Sequence, residues 1–186
     1  MQAFDHYRIE RLSAPPLILE PLIEQHAAIL FPLFQDPALY TFVPEDPPQS
    51  LEQVQARFRA LESRRSPERD ELWLNWVVML EGNPAGLVQA TCRSDRKLFV
   101  AYEVFDGFRR RGVAVGAVSL MLSHLSRLHL ADLALAYVDT RNVASIAVLA
   151  RLGFSRVRMI EGADYFKNAV SNEYEYLRTM SLPRAS

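Results

Sequence analysis

The stretch from Lys97 to Gly153 limits the possible folds more than any other part of the chain. KLFVAYEVF (97–105) has the composition of a strand. VGAVSLMLSHLSRLHL (115–130) places Val118, Met121, Leu122, Leu125 and Leu128 on one helical stripe. LALAYVD (133–139) is a short, nearly continuous apolar run, as a buried strand requires. NVASIAVLARL (142–152) reads as a helix closed by Gly153, a C-cap residue. Strand, helix, strand and helix in succession demand a sheet covered by helices.

The flanking sequence extends that sheet. LNWVVML (74–80) and AGLVQATC (85–92) border the turn Glu81-Gly82-Asn83-Pro84 and predict a hairpin. SRVRMI (155–160) and YEYLRTM (174–180) alternate as strands and are expected to be joined by a polar loop. Residues 1–16 read as a leader ending at Pro15-Pro16, and LILEPL (17–22) as a strand. Residues 23–42 are apolar at helical spacing but broken by Pro32 and Pro37. PEDPPQ (44–49) is a loop. Ser50 then opens a helix as its cap, with Gln53 in the capping-box position and Leu51, Val54, Phe58 and Leu61 on one face. The expectation is one mixed α/β domain over residues 1–186, with no internal boundary.

Composition narrows the function. The chain of 186 residues is 49% hydrophobic and 23% charged with a formal net charge of -1, which is ordinary globular composition. A nucleic-acid partner would call for a basic excess, and there is none. Cys92 is the only cysteine, so neither an internal disulfide nor a Cys-rich metal site is expected. His6, His26, His124 and His129 are scattered, and no metal is expected. The first residues are too polar for a signal peptide, and no apolar run approaches the roughly 20 residues needed to span a bilayer. A cytoplasmic protein without a membrane partner is the expectation.

The chemistry concentrates in AYEVFDGFRRRGVAVGAV (101–118), a strand, a loop and the start of a helix. Backbone N–H groups at a helix start lack partners, and the helix dipole is positive there, so the place suits an anion. Arg109, Arg110 and Arg111 stand on the wrong side of that dipole, at a cost of about 0.3–1 kcal/mol each when exposed. No Ser, Thr, Asp or Asn lies between Gly107 and Ser119 to act as a cap. A bound phosphate or pyrophosphate removes both oddities; a solvated basic turn is the plainer reading of this segment alone. Gly112 and Gly116 are four apart, which is not GxGxxG, and no GK[ST] follows to make a Walker loop.

Arg109-x-x-Gly112-x-Ala114 resembles the [RQ]-x-x-G-x-[GA] pyrophosphate loop of the GNAT superfamily of N-acetyltransferases. TRNVASIAVLARLGF (140–154) resembles the N-x-x-S-x-x-[VL]-x-x-x-[GL]-F helix of its ribosomal-protein-alanine acetyltransferase (RimJ/RimL) group, and LFQDPALYTFVPEDPPQSLEQ resembles that group's amino-terminal part. The resemblance runs over about residues 17–180. It implies a twisted, mostly antiparallel sheet of six to seven strands flanked by about four helices, splayed where acetyl-CoA binds. It further implies an amine as acceptor, a monomer or homodimer, and direct attack in a ternary complex.

Carried onto this chain, the resemblance places the pyrophosphate on the loop Arg109, Arg110, Arg111, Gly112, Val113, Ala114 and Val115. It places the pantetheine arm against Val104 and Phe105, with Asn142 and Ser145 contacting it. Asn142 also fits a helix N-cap, and the two roles are compatible. Glu103 matches the strand glutamate that serves as base; an ion pair with Arg141 or Arg156 is the alternative. The tyrosine that many relatives use as acid for the leaving thiolate is replaced by Leu149. Ser145 is then the candidate donor, or no acid is needed, since a thiol pKa near about 8.5 makes a tolerable leaving group. Cys92 is expected in the core rather than as a nucleophile. Phe31, Phe34, Tyr40 and Phe42 are expected in the core by default, with the acceptor pocket as the alternative. A competing reading is an acyl-CoA-binding regulatory module without turnover, which Leu149 favours. A third reading, an RNA or phosphoprotein contact, is opposed by the near-neutral charge. The acceptor classes open at this point are protein N-termini, amino acids, polyamines and aminoglycosides. A rim of Asp36, Glu45, Asp46, Glu161, Asp164 and Glu173 against Lys167 favours a cationic amine, and the expected acceptor is a primary amine, either an N-terminal α-amine or a small amine.

Overall fold

A computed structural model describes residues 7–180. Its centre is an eight-stranded sheet in the order β1-β2-β3-β4-β5-β6-β8-β7. The strands are β1 (Leu12–Ala14), β2 (Leu17–Pro21), β3 (Glu71–Leu80), β4 (Asn83–Arg93), β5 (Lys97–Val104), β6 (Leu133–Asp139), β7 (Ser155–Phe166) and β8 (Ala169–Thr179). Every neighbouring pair is antiparallel except β5 with β6. The four helices are α1 (Ala27–Leu30), α2 (Leu51–Glu62), α3 (Val113–Arg127) and α4 (Val143–Arg151).

The mixed α/β expectation holds, with one strand more than the six to seven expected. The extra strand is β1, inside the segment read as a leader. Leu12 is buried there, paired opposite Leu19. The indole N–H of the fully buried Trp76 donates to the Glu10 carbonyl at 2.8 Å, which ties the preceding backbone to the core. Residues 1–6 of that leader, His6 among them, lie outside the described residues. A second correction concerns the polar loop expected between 160 and 174. Both strands run through it and meet at a two-residue turn, Lys167-Asn168, with φ of 50° and 59°. β7 is an edge strand with most side chains exposed, and beyond Ile160 it carries no apolar alternation to reveal it.

The helices form for local reasons. Ser50 caps α2 by accepting from the Gln53 N–H at 3.3 Å, and Gln53 reaches back to the Gln49 N–H at 2.8 Å. That is the expected capping box, shifted one residue outward. Val54 and Phe58 are buried in a small core with Leu30, Phe34, Val77 and Phe105, on the sheet face that α1 and α2 cover. The larger core, built on Trp76, Met121, Leu122 and Leu125, fills the opposite face beneath α3. The Pro-broken segment 23–42 resolves into α1 and short 3-10 turns, one of them at Pro37–Tyr40.

The sheet comes apart in the middle. β5 pairs with β6 only from Lys97↔Leu133 to Phe99↔Leu135. Beyond Phe99, β5 keeps β4 as far as Gly86↔Val104, while β6 keeps β8 as far as Asp139↔Glu173. A register shift between Val78 and Met79 leaves Ala85 as an extra residue, and a bulge of this kind bends its strand. The Ala85 carbonyl takes the Phe105 N–H at 2.9 Å, so the end of β5 follows β4 away from β6. Gly86 makes the approach possible, because a Cβ there would sit 2.1 Å from the Glu103 carbonyl oxygen.

Gly86→Ala should therefore cost about 1–3 kcal/mol, the usual range for overpacking. Gly82→Ala, whose Cβ would meet open space, should cost about 1 kcal/mol, for its positive φ alone. Urea denaturation of the two variants tests the difference; equal costs would contradict the close approach.

Candidate active site

The opening between β5 and β6 exposes backbone that a sheet normally satisfies. Phe105 gives its N–H to β4, and the Glu103 carbonyl also points at β4. By alternation, the N–H and C=O of Tyr102 and Val104 face the opening, and of these the Val104 carbonyl takes the Arg109 Nε at 3.3 Å. Unpaired main-chain groups of this kind call for a partner, and an extended ligand carrying amides supplies one.

The loop that follows continues the site. Gly112 begins α3 with φ of 78°, and no side chain caps the helix. The first bond of the helix ladder runs from Gly116 N–H to Gly112 C=O at 3.0 Å. The N–H groups of Val113, Ala114 and Val115 thus lack an intrahelical acceptor. No backbone carbonyl among the described residues accepts from Arg110, Arg111 or Gly112 either. The glycine is needed for its left-handed φ, and the space over it is open. The side chains of the seven residues expected there, 109–115, divide. Val113 is buried in the core. Arg111 leans over the Phe108 ring and lies 3.4 Å from Glu81. Arg110 makes no ion pair or hydrogen bond among the described residues. Arg109 turns away from the cradle to Asp36 at 3.0 Å.

The two sheet faces at the opening carry different chemistry. Glu103 lies on the α1 and α2 face. Burial is the main cause that pushes its carboxyl up to about 7; Glu45 adds to the rise and the charge of Arg57 opposes it. Neither arginine suggested as its ion-pair partner is used that way. Arg141 makes a bidentate pair with the buried Asp139, at 2.9 and 2.5 Å, and Arg156 lies 4.5 Å over the Tyr174 ring. Tyr40 adjoins Glu103: its phenol is pushed up to about 12, first by burial and next by the Glu103 charge. Glu173, at the end of the opening beside Asp139, is also raised, by burial and by the charges of Asp164 and Asp139.

On the opposite face, α4 presents its first turn. Asn142 caps it, accepting from the Ser145 N–H at 3.0 Å as its position suggested. The Ser145 hydroxyl donates to the Tyr102 oxygen at 3.1 Å, and the Tyr102 hydroxyl donates to the Ser145 carbonyl at 3.2 Å. The pair bridges β5 and α4. Tyr102 is a site residue that sequence reasoning missed; its signal was a tyrosine alternating with Glu103 in the strand beside the loop. Leu149, at the family's tyrosine position, is buried core.

The other candidates fall into structural roles. Phe105 and Phe34 pack edge to face in the smaller core with ring centroids 5.6 Å apart, so only the backbone of Phe105 nears the opening. Cys92 is buried in β4, and burial pushes its thiol up to about 12, which makes it a poor nucleophile. His124 lies within α3, in contact with the Tyr7 hydroxyl. Among the described residues, no helix is long and apolar enough to cross a membrane.

Comparison with known proteins agrees with this geometry. The family model described as "Acetyltransferase (GNAT) domain" matches residues 16–155. No curated protein matches the chain significantly in sequence. Among solved structures, the fold is similar to RimL, a ribosomal L7/L12 alpha-N-protein acetyltransferase in complex with coenzyme A, with a TM-score of 0.84 at 18% identity over 91% of this chain and 98% of that one. It is also similar to the microcin C7 self-immunity acetyltransferase MccE in complex with acetyl-CoA and AMP, with a TM-score of 0.79 at 13% identity over 89% of this chain and 93% of that one. The spermidine N-acetyltransferase of Vibrio cholerae, in complex with CoA and spermine, gives a TM-score of 0.77 at 13% identity over 90% and 97%. At these identities the neighbours establish the fold, and the family model, covering most of the chain, establishes the lineage: this protein belongs to the GNAT acetyltransferase family.

Proposed function

We propose that the protein transfers the acetyl group of acetyl-CoA to a primary amine, with an N-terminal α-amine as the preferred acceptor. The observation that carries this reading is the unpaired edge of β5, which leads directly into the uncapped start of α3. The open N–H and C=O of Tyr102 and the open N–H of Val104, whose carbonyl already takes the Arg109 Nε at 3.3 Å, suit the pantetheine amides, and Asn142 and Ser145 lie across the opening. The N–H groups from Arg110 to Val115 suit the pyrophosphate, with Arg110 as the free cation nearest them. Relatives of the same fold are named as complexes with CoA or acetyl-CoA.

The reaction needs a neutral amine, a thioester carbonyl within reach, an acceptor for the proton that the attacking nitrogen loses and a proton for the departing thiolate. The acceptor nitrogen attacks the carbonyl carbon and the C–S bond breaks as the tetrahedral intermediate collapses. Glu103 takes the proton lost by the amine, directly or through water; a carboxylate poised near pH 7 is well matched to that task. On the other face, the Ser145 hydroxyl, hydrogen-bonded to Tyr102, is the candidate hydrogen-bond donor to the departing thiolate, which takes its proton from Glu103 or solvent. This arrangement supplies hydroxyls without the family tyrosine and so weighs against a module lacking turnover.

Acceptor choice follows from charge. Glu45 and Glu173 flank the Glu103 face, and Glu173 is already raised, first by burial and then by the charges of Asp164 and Asp139. An ammonium relieves that repulsion. An α-amine, with a pKa of about 7.7–8.0, is partly neutral at pH 7, whereas a lysine side chain near about 10.4 demands more of the base. Two of the similar proteins are named for amine acceptors, an N-terminal α-amine and spermidine.

Calorimetry should find that acetyl-CoA binds and that Gly112→Val abolishes binding, since valine resists the φ of 78° on which the cradle depends. No binding to the parent at millimolar ligand would refute the assignment. Glu103→Gln should lower turnover by about 10²–10⁴-fold and remove the limb of the pH–rate profile that rises through about 7. The same variant checks the sign of the shift. A carboxyl whose folded pKa is raised contributes stability only below its unfolded pKa, and loses it as pH rises through the folded value. The melting temperature of Glu103→Gln should therefore gain on that of the parent between about pH 5 and 8. An unchanged rate profile would return Glu103 to a structural role. With acetyl-CoA, a short peptide with a free N-terminus should be acetylated in preference to an N-terminally blocked peptide carrying an internal lysine. The reverse order would overturn the α-amine assignment.

A further inference from the structure

We propose that Arg109, despite opening the pyrophosphate-loop motif, is a positioning residue of the acceptor wall and not a phosphate ligand. The proposal rests on the reading above and names a residue that tunes the acceptor side of the same site.

The guanidinium of Arg109 is already engaged. Its Nε donates to the Val104 carbonyl at 3.3 Å, and Nη2 donates to Asp36 Oδ2 at 3.0 Å. Nη1 stands 3.9 Å from Asp106 Oδ1. Two carboxylates and a carbonyl surround this cation, whereas Arg110, one residue on, has no partner among the described residues. The loop therefore divides its labour: Arg110 is left for an anion, and Arg109 faces the other way.

What Arg109 holds is the segment beside Glu103. Asp36, its partner, caps the 3-10 turn Pro37–Tyr40 by accepting from the Ala38 N–H at 2.9 Å. That turn ends at Tyr40, whose hydroxyl donates to the Phe34 carbonyl at 3.0 Å and whose phenol feels the charge of Glu103. The far end of the same segment is held from the β7–β8 turn. There the Lys167 ammonium donates to the carbonyls of Tyr40, of Val43 at 2.9 Å and of Glu45 at 3.3 Å. Residues 36–45 are thus pinned by a cation at each end. Arg109 is the pin that joins this wall to Val104, the last residue of the open β5 edge. The planar fork of arginine makes both contacts at once from fixed positions. The distance between the acceptor wall and the cofactor edge is set through this one side chain.

The two roles predict opposite results. Acetyl-CoA titrations and steady-state kinetics with an N-terminally free peptide are to be run on the parent, Arg109→Ala, Asp36→Asn and Arg110→Ala. Asparagine keeps the cap and removes the ion pair. Arg109→Ala and Asp36→Asn are expected to leave the acetyl-CoA Kd unchanged and to raise the peptide KM about 10- to 100-fold, the scale of a misplaced reactant. Arg110→Ala is expected to weaken acetyl-CoA instead. If Arg109→Ala weakens acetyl-CoA as Arg110→Ala does, or Asp36→Asn tightens it by freeing Arg109, the proposal is overturned. A parent that binds no acetyl-CoA refutes the functional reading instead, and amide exchange over residues 37–45 then decides. Faster exchange in Arg109→Ala but not in Arg110→Ala supports the pin, and equal exchange removes it.

Discussion

The rest of the site depends on the loss of pairing between β5 and β6 beyond Phe99. A parallel pair that stops after three residues leaves two strand edges with unsatisfied N–H and C=O groups facing each other across a gap. The gap is built rather than accidental. The bulge at Ala85 and the bare Cα of Gly86 let β4 carry the end of β5 away, while β8 holds β6 in place to Asp139. Every residue proposed to act does so by its position relative to this gap.

Because side chains alternate across a strand, the gap has two chemically distinct walls. Glu103 points to the face of α1 and α2, where burial, opposed by the charge of Arg57 and aided by Glu45, pushes its carboxyl up to about 7. Tyr102 points to the face of α4, where it exchanges hydrogen bonds with Ser145. A thioester lying in the gap would have a proton acceptor on one side and proton donors on the other, one strand residue apart. Arg109 and Lys167 then fix the segment that closes the Glu103 side.

Much of this was legible from residues alone, for identifiable reasons. The strand–helix–strand–helix order between 97 and 153 is written in strong periodic patterns, and β6 runs from Leu133 to Asp139 as read. The Ser50 and Asn142 caps were legible because capping depends on a few adjacent residues. β1 and the outer half of β7 were not, because edge strands lack the burial that creates alternation, and the outer half of β8 pairs only with β7. The orientation of Arg109 was hidden as well: its partner Asp36 is 73 residues away, and only the folded chain brings them together. Gly86 left a signal that went unused, since a glycine inside a strand marks a close backbone approach.

The account stands on one claim, that the open β5 edge and the start of α3 receive acetyl-CoA. Residue-resolved amide exchange, with and without CoA, reads those groups directly. The N–H groups of Tyr102 and Val104 and those from Arg110 to Val115 should slow when CoA is added. Glu103 and Phe105, already directed to β4, should change little. Slowing confined to other parts of the chain, or equal slowing of odd and even residues along β5, would contradict the account.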